Sequence, residues 1–228
     1  MTDRGIMFSG PMVRALLAGT KLQTRRLATS PLRQVKPGDR LYVRESCWIW
    51  GRWRKDGLNK AGRQRWRFVI STPHTAIFDP NHPQIARKGT PREREMYWRR
   101  PSIHMPRWAS RMTLIVTKNR TERLQEISEA DAAAEGVERL DFEREDRDLS
   151  VCPACGGARL VNKLGANLGV IPDADCFDCD THRKRYQHLW NHLHGTGSWD
   201  ANPEVIAVSF TVHRYNIDQM PATASEAA

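Results

Sequence analysis

Two groups of residues in this chain have the types and spacing to do chemistry. The first is Gly19-Thr20-Lys21-Leu22-Gln23-Thr24-Arg25-Arg26. An amine three residues from a hydroxyl can activate a nucleophile, and neighbouring guanidiniums can hold an anion or a developing oxyanion. The same residues also suit a plain basic helix exit, because Lys and Arg favour helix C-termini. The second group is Cys152, Cys155, Cys176 and Cys179, two C-x-x-C pairs with 20 residues between them. This is the layout of a tetrahedral four-thiolate zinc site. Gly156-Gly157 permits a tight turn beside the first pair. Paired disulfides are the alternative, and a secretion signal to support them is missing. A redox pair would not need the second knuckle. Four thiolates close the coordination shell, so a structural Zn2+ is expected, one that holds this short unit folded. Cys47 has no partner in the pattern and is expected to be a small buried side chain.

A third candidate stands at a helix end. Ser128 and Asp131 read as a capping box, and Gly136 closes the helix after Ala132-Ala133-Ala134-Glu135. The helix dipole disfavours a carboxylate in the last turn, where Lys or Arg would be the structural choice. Glu135 is therefore electrostatically out of place. His188, His192 and His194 lack an acidic partner at ligand spacing, so no second metal is expected. The chain has no glycine-rich phosphate loop and no G-x-S-x-G elbow.

The elements that must position these residues can be read in order. Residues 5–8 suggest a first strand. Ser9-Gly10-Pro11 opens a helix with Met12 and Leu16 on its apolar face and Gly19 at its end. Pro37-Gly38-Asp39 is a turn into a strand over 40–45, with Leu41 and Val43 on one face and Glu45 at its end. Residues 51–100 have no clear periodicity and read as an insertion with one short strand near 65–70. Residues 112–117 form a strand, and 141–150 a charged linker. Tyr186, Leu189, Trp190 and Leu193 recur at helical spacing over 181–194, with Gly195 as the stop. Ile206, Val208, Phe210 and Val212 share a face of the last strand.

Composition bounds the rest. The 228 residues allow one sizeable domain, or one domain with an insert. The net charge is +10, and residues 51–111 carry 15 Lys/Arg against 4 Asp/Glu, leaving the remainder near neutral. Arg outnumbers Lys 28 to 8, and Trp48, Trp50, Trp53, Trp66, Trp98 and Trp108 lie in or beside the basic stretch. Planar guanidiniums interleaved with aromatic rings suit phosphates and unstacked bases. The plainer alternative is a solvated insert whose Trp residues pack it down. No apolar run is long enough to span a membrane, and the first ten residues lack a secretory core, so a cytoplasmic protein is expected.

Several motifs follow one another in a specific order: Phe8-Ser9-Gly10-Pro11-Met12-Val13-Arg14-Ala15; Gly19-Thr20-Lys21-x-x-Thr24-x-Arg26; Pro37-Gly38-Asp39-x-Leu41-Tyr42-Val43-Arg44-Glu45; Arg100 to Ser110; Ile127-Ser128-Glu129-Ala130-Asp131-Ala132-x-x-Glu135-Gly136; and Gly195-x-Gly197-Ser198-Trp199-Asp200-Ala201-Asn202-Pro203. Over 1–50, 98–140 and 184–213 the chain resembles the ASCH domain of the PUA-like superfamily, in the long form carried by bacteriophages and prophages. The resemblance implies an α+β fold: a small twisted β-barrel with flanking helices, plus an inserted zinc-ribbon-like unit. Residues 1–140 and 184–215 would form the domain, interrupted by a basic insertion over 51–97. Residues 141–183 would be linker and zinc-binding insertion, and 216–228 a disordered tail. The implied partners are RNA, DNA or a modified nucleoside, in the cytoplasm of a bacterial host.

The resemblance also implies a site. A small ASCH protein hydrolyses the acetyl amide of N4-acetylcytidine with a Lys, a Thr three residues on and a Glu in the helix after the middle strand. Those positions fall on Lys21, Thr24 and Glu135. Thr24 would attack the acyl carbon with Lys21 as its base, and Glu135 would position water or pass a proton to the leaving amine. Arg25, Arg26, Glu45, Trp108 and Trp199 would bind the substrate. Relatives of this fold also bind RNA without catalysis, and some are reported to cleave it, for which His104 is the one candidate acid or base near a matched motif.

Overall fold

The computed structural model describes residues 2–137, 152, 154–155, 160–165 and 169–220. Its strands are β1 (Asp3–Met7), β2 (Gln23–Leu27), β3 (Arg40–Arg44), β4 (Cys47–Leu58), β5 (Gln64–Ile70), β6 (Ala76–Ile77), β7 (Met96–Arg100), β8 (Thr113–Arg123), β9 (Leu160–Leu164), β10 (Val170–Asp175) and β11 (Glu204–His213). Its helices are α1 (Gly10–Ala18), α2 (Glu129–Ala134) and α3 (His182–His194). The fold is α+β and dominated by sheet. One sheet has five strands in the order β1-β3-β8-β11-β2, a second is built around β4, and β9 pairs with β10. Among the described residues β1 and β2 do not pair, so the five-stranded sheet stays open and the closed barrel implied by the family likeness is not formed. The backbone entering β2 is instead taken up by the turn after α2: Lys21 bridges Glu135, and the Leu22 amide donates to the Ala134 carbonyl.

The chain folds as two units. One comprises Pro11–Asp39 and Ile115–Val212; the other comprises Asp3–Gly10, Arg40–Leu114 and the segment from His213. In the first, the helical apolar spacing read from the sequence buries Tyr186, Leu189 and Trp190 of α3 against Leu124, Ile127, Ala132, Trp199 and Val205. Trp190 is 2% exposed; truncating a ring of this kind costs roughly 3–5 kcal/mol. β11 pairs antiparallel with β2, setting Ser209 opposite Gln23, Val208 opposite Thr24, Ala207 opposite Arg25 and Ile206 opposite Arg26.

In the second unit β4 is the central strand, paired antiparallel with β5, β6 and β7. The sheet runs from Cys47 to Arg100, where the sequence suggested a single short strand over 65–70. Its alternation escapes a hydropathy reading because β4 carries Trp on both faces, interleaved with Arg. Gly51 lets β5 approach: a Cβ there would lie 2.3 Å from the Val69 carbonyl oxygen. Cys47, Ile49, Met105 and Ala109 form the buried centre, with Phe68, Phe78 and Trp108 packed against them.

The order extends beyond residue 215, where a disordered tail was expected. Asn216 donates to the carbonyls of Arg107, Trp108 and Ser110, and Ile217 is 1% exposed. The expected linker over 141–150 and the tail over 221–228 lie outside the described residues. Among the described residues no helix is long and apolar enough to cross a membrane.

Candidate functional site

Lys21 and Glu135 meet in the first unit. Gly19, with φ of 77°, ends α1 and turns the chain toward β2. At the end of α2, Gly136 has φ of 78°, and a Cβ there would lie 2.9 Å from the Cβ atoms of both Ala15 and Lys21. Only glycine permits that turn at that spacing. The Lys21 ammonium donates to the Glu135 carbonyl oxygen at 2.8 Å and to Oε2 at 3.0 Å, and both residues are 2% exposed. Burial pushes the Lys21 amine below its ordinary value, and the Glu135 carboxylate opposes that effect.

Arg25 binds the other Glu135 oxygen. Its Nη1 lies 3.1 Å from Oε1; Nε and Nη2 reach Glu122 Oε1 at 2.9 and 2.7 Å, and Nη2 reaches Asp131 Oδ2 at 3.2 Å. Gln23 accepts from Arg25 and donates to Asp131 and Ser209. Arg120 pairs with Glu122 and with Asp131. Tyr186 packs beneath the Arg25 guanidinium at 6.0 Å, and burial, with Glu135 nearby, raises its hydroxyl pKa far above the ordinary value. Three cations thus face three carboxylates. Only half of the expected capping box forms: Ser128 accepts from the Asp131 amide, while the Asp131 carboxylate joins the ionic cluster. Gln23, Arg120 and Glu122 went unread in the sequence, where the alternating charge of Arg120 and Glu122 along β8 was the available signal.

Thr24 does not share this arrangement. Side chains alternate along a strand, so Gln23 and Arg25 occupy one face of β2 while Thr24 and Arg26 occupy the other, opposite the buried Val208 and Ile206. Thr24 is buried and Arg26 half-buried. Trp199 belongs to the core: it is 5% exposed, its ring edge meets Tyr186, and Arg183 lies over it at 5.9 Å. Glu45 and Trp108 belong to the second unit. Glu45 is held by Arg111 Nε and Nη2 at 2.8 and 2.9 Å. Trp108 packs on the Cys47 cluster and against His74. His104 is exposed.

Cys152, Cys155, Cys176 and Cys179 come together, with all four Sγ atoms within 4.8 Å of one another. Sγ of Cys152 is 3.8 Å from that of Cys176, and Sγ of Cys155 is 3.5 Å from that of Cys179. Tetrahedral zinc at about 2.3 Å from each sulfur requires separations of about 3.8 Å. The four thiols are unbridged and can bind a metal ion. α3 grips the second knuckle: Lys184 Nζ donates to the Phe177 carbonyl at 2.8 Å, and Arg185 Nε to the Cys179 carbonyl at 2.7 Å.

The sheet around β4 presents a second kind of surface. Trp53 and Phe68 are registered opposite each other and lie on the face of Cys47 and Ile49. The opposite face carries Trp48, Trp50, Arg52 and Arg54 from β4, Arg67 and Val69 from β5, and Tyr97 and Arg99 from β7. Arg54 stands directly opposite Arg67. Among the described residues neither forms an ion pair, and both are exposed. Comparison with family models, with characterised proteins and with solved structures gives no match to this chain.

Proposed function

We propose that this chain is an ASCH-like nucleic-acid-binding protein whose basic sheet around β4 grips the phosphate backbone. The observation that carries this reading is the Arg54–Arg67 pair. Like charges directly opposite each other across a sheet are destabilising, and among the described residues neither arginine forms an ion pair with a carboxylate. An anion bound between the two guanidiniums removes that repulsion, and a phosphate suits their planar forks. The ordered motifs and the α+β character of the fold support the ASCH-like reading, while the closed barrel that this likeness implies is not formed among the described residues. Zn2+ on the four cysteines serves as a structural staple, held against α3. The partner is RNA or DNA in the cytoplasm, with a phage or prophage origin following from the likeness. The test is electrophoretic mobility shift with RNA and DNA oligonucleotides. Wild type retards them, and Arg54→Glu with Arg67→Glu abolishes the shift while the fold persists. Equal retardation by both proteins sinks the reading.

A second reading, amide hydrolysis of N4-acetylcytidine, draws on the Lys21–Glu135 contact, since those are two of the three residues the likeness implies. Against it stand the face on which Thr24 lies and the burial of the pair. Release of acetate by wild type that is lost in a Thr24→Ala variant shown by thermal melting to be folded would establish it.

A further inference from the structure

We infer that the nucleic acid bound by the basic sheet is single-stranded, and that its bases stack on Trp48, Trp50 and Tyr97. The inference rests on the nucleic-acid reading above and names its substrate class. The strand register sets Trp50 opposite Tyr97 and Trp48 opposite Arg99. Alternation places all four on the face opposite the one where Cys47 and Ile49 build their core cluster. A sheet face turned away from the Cys47 cluster is ordinarily polar, yet this one carries three half-buried aromatic rings, with the buried Ile85 bridged to Tyr97 at its edge. Trp50 and Tyr97 meet edge to face at 5.1 Å, and His82 meets Tyr97 edge-on at 5.0 Å. Such edge-to-face contacts fix the rings, and each ring keeps part of its surface open to solvent.

The rings lead directly into cations. Along β4 the same face continues from Trp48 and Trp50 to Arg52 and Arg54, with Arg67 beside Arg54 and Arg99 beside Trp48. Phosphates follow the guanidiniums, and bases turn onto the rings. A duplex buries its base faces within its own stack and offers only edges and phosphates to a protein. Arginines alone would serve a duplex; a row of rings is useful only to unpaired bases. Stacking tolerates any base, so the preference is for strandedness rather than sequence.

The experiment is fluorescence anisotropy on the full chain with a labelled oligonucleotide of ~12 nucleotides, as oligo-uridine, as oligo-thymidine and as a blunt duplex of matched length. The single strands bind more tightly than the duplex, and the RNA and DNA arms identify which is preferred. Trp48→Leu and Trp50→Leu keep apolar bulk and remove the ring. Each weakens single-strand binding roughly 5- to 150-fold and leaves duplex binding unchanged, while Trp50→Tyr restores a stacking surface and most of the affinity. Thermal melting confirms that each variant is folded. Equal affinity for duplex and single strand, or unchanged single-strand binding in both Leu variants while Arg54→Ala weakens it, overturns the stacking inference and leaves the phosphate reading intact. Absence of binding to all three probes overturns both.

Discussion

Lys21 and Glu135 close on each other three times: through an isolated backbone bridge, through Lys21 Nζ to the Glu135 carbonyl oxygen at 2.8 Å, and through Nζ to Oε2 at 3.0 Å. This staple ties the segment after α1 to the turn after α2. It also explains the carboxylate at a helix end where the dipole is unfavourable: Glu135 Oε2 faces an ammonium and Oε1 a guanidinium. The local charges outweigh the dipole, whose effect is only about 0.3–1 kcal/mol at exposed sites.

Removing one member of this pair leaves the other as a buried charge short of a partner, fully so for Lys21 and in part for Glu135, which keeps Arg25. Lys21→Met and Glu135→Gln are each expected to destabilise the protein by about 3–5 kcal/mol, read as a lower midpoint in urea unfolding. Glu135→Gln is the more damaging, because it also weakens Arg25. A midpoint unchanged in both variants would show that the pair carries no stability.

Gly136 is the hinge that brings the two residues together. Gly136→Ala places a Cβ 2.9 Å from two other Cβ atoms and demands a left-handed backbone. The backbone contribution alone costs about 1–2 kcal/mol. The expected result is a fall in Tm larger than that of Gly19→Ala, where φ is also positive but a Cβ meets nothing within 4 Å. Equal losses at both sites would remove the close-approach argument.

Asp131 sets an acid limit. Burial would raise its pKa, but the Gln23 amide and the charges of Arg120 and Arg25 outweigh it and hold the carboxyl below its ordinary value of 3.8. The folded pKa is thus below the unfolded one, so the contribution is full above pH 3.8 and is lost as pH falls below that value through the folded pKa. Asp131→Asn is expected to be less stable than wild type at pH 6, with the gap narrowing in this acid range. A gap constant down to pH 2.5 would contradict the assignment.

The sequence spoke clearly where one periodicity governed. Leu16 in α1, the apolar row of α3 and the alternating Ile206, Val208 and Phe210 in β11 gave elements that the structure contains. It spoke poorly around β4, because Trp48, Trp50 and Trp53 put large rings on both faces and Arg filled positions that hydropathy would call loop. Glu135 was singled out by its conflict with the helix dipole, and its partner Arg25 lies two residues beyond Gln23 on one face of β2. Spacing alone set Thr24 beside Lys21; the pleat of β2 turns Thr24 to the other face, which a one-dimensional reading of three residues does not convey. The cysteine knuckles were legible because C-x-x-C spacing survives whatever lies between the pairs.

Metal removal tests the proposed staple in the four-cysteine unit. A chelator is expected to release zinc from purified protein and lower Tm, with Cys176→Ser giving the same loss. Arg185→Ala, which frees the Cys179 carbonyl from α3, is expected to weaken zinc affinity with all four thiols intact. Purified protein that contains no metal and melts alike with and without chelator would contradict a structural ion.

The central claim is that Arg54 and Arg67 hold phosphate, and the salt dependence of affinity reads this most directly. Dissociation constants for a single-stranded oligonucleotide, measured across a range of salt concentrations, are expected to weaken linearly on a log–log plot, with Arg54→Ala and Arg67→Ala each reducing the slope by about 0.7. An affinity independent of salt, or a slope identical in wild type and both variants, would contradict it.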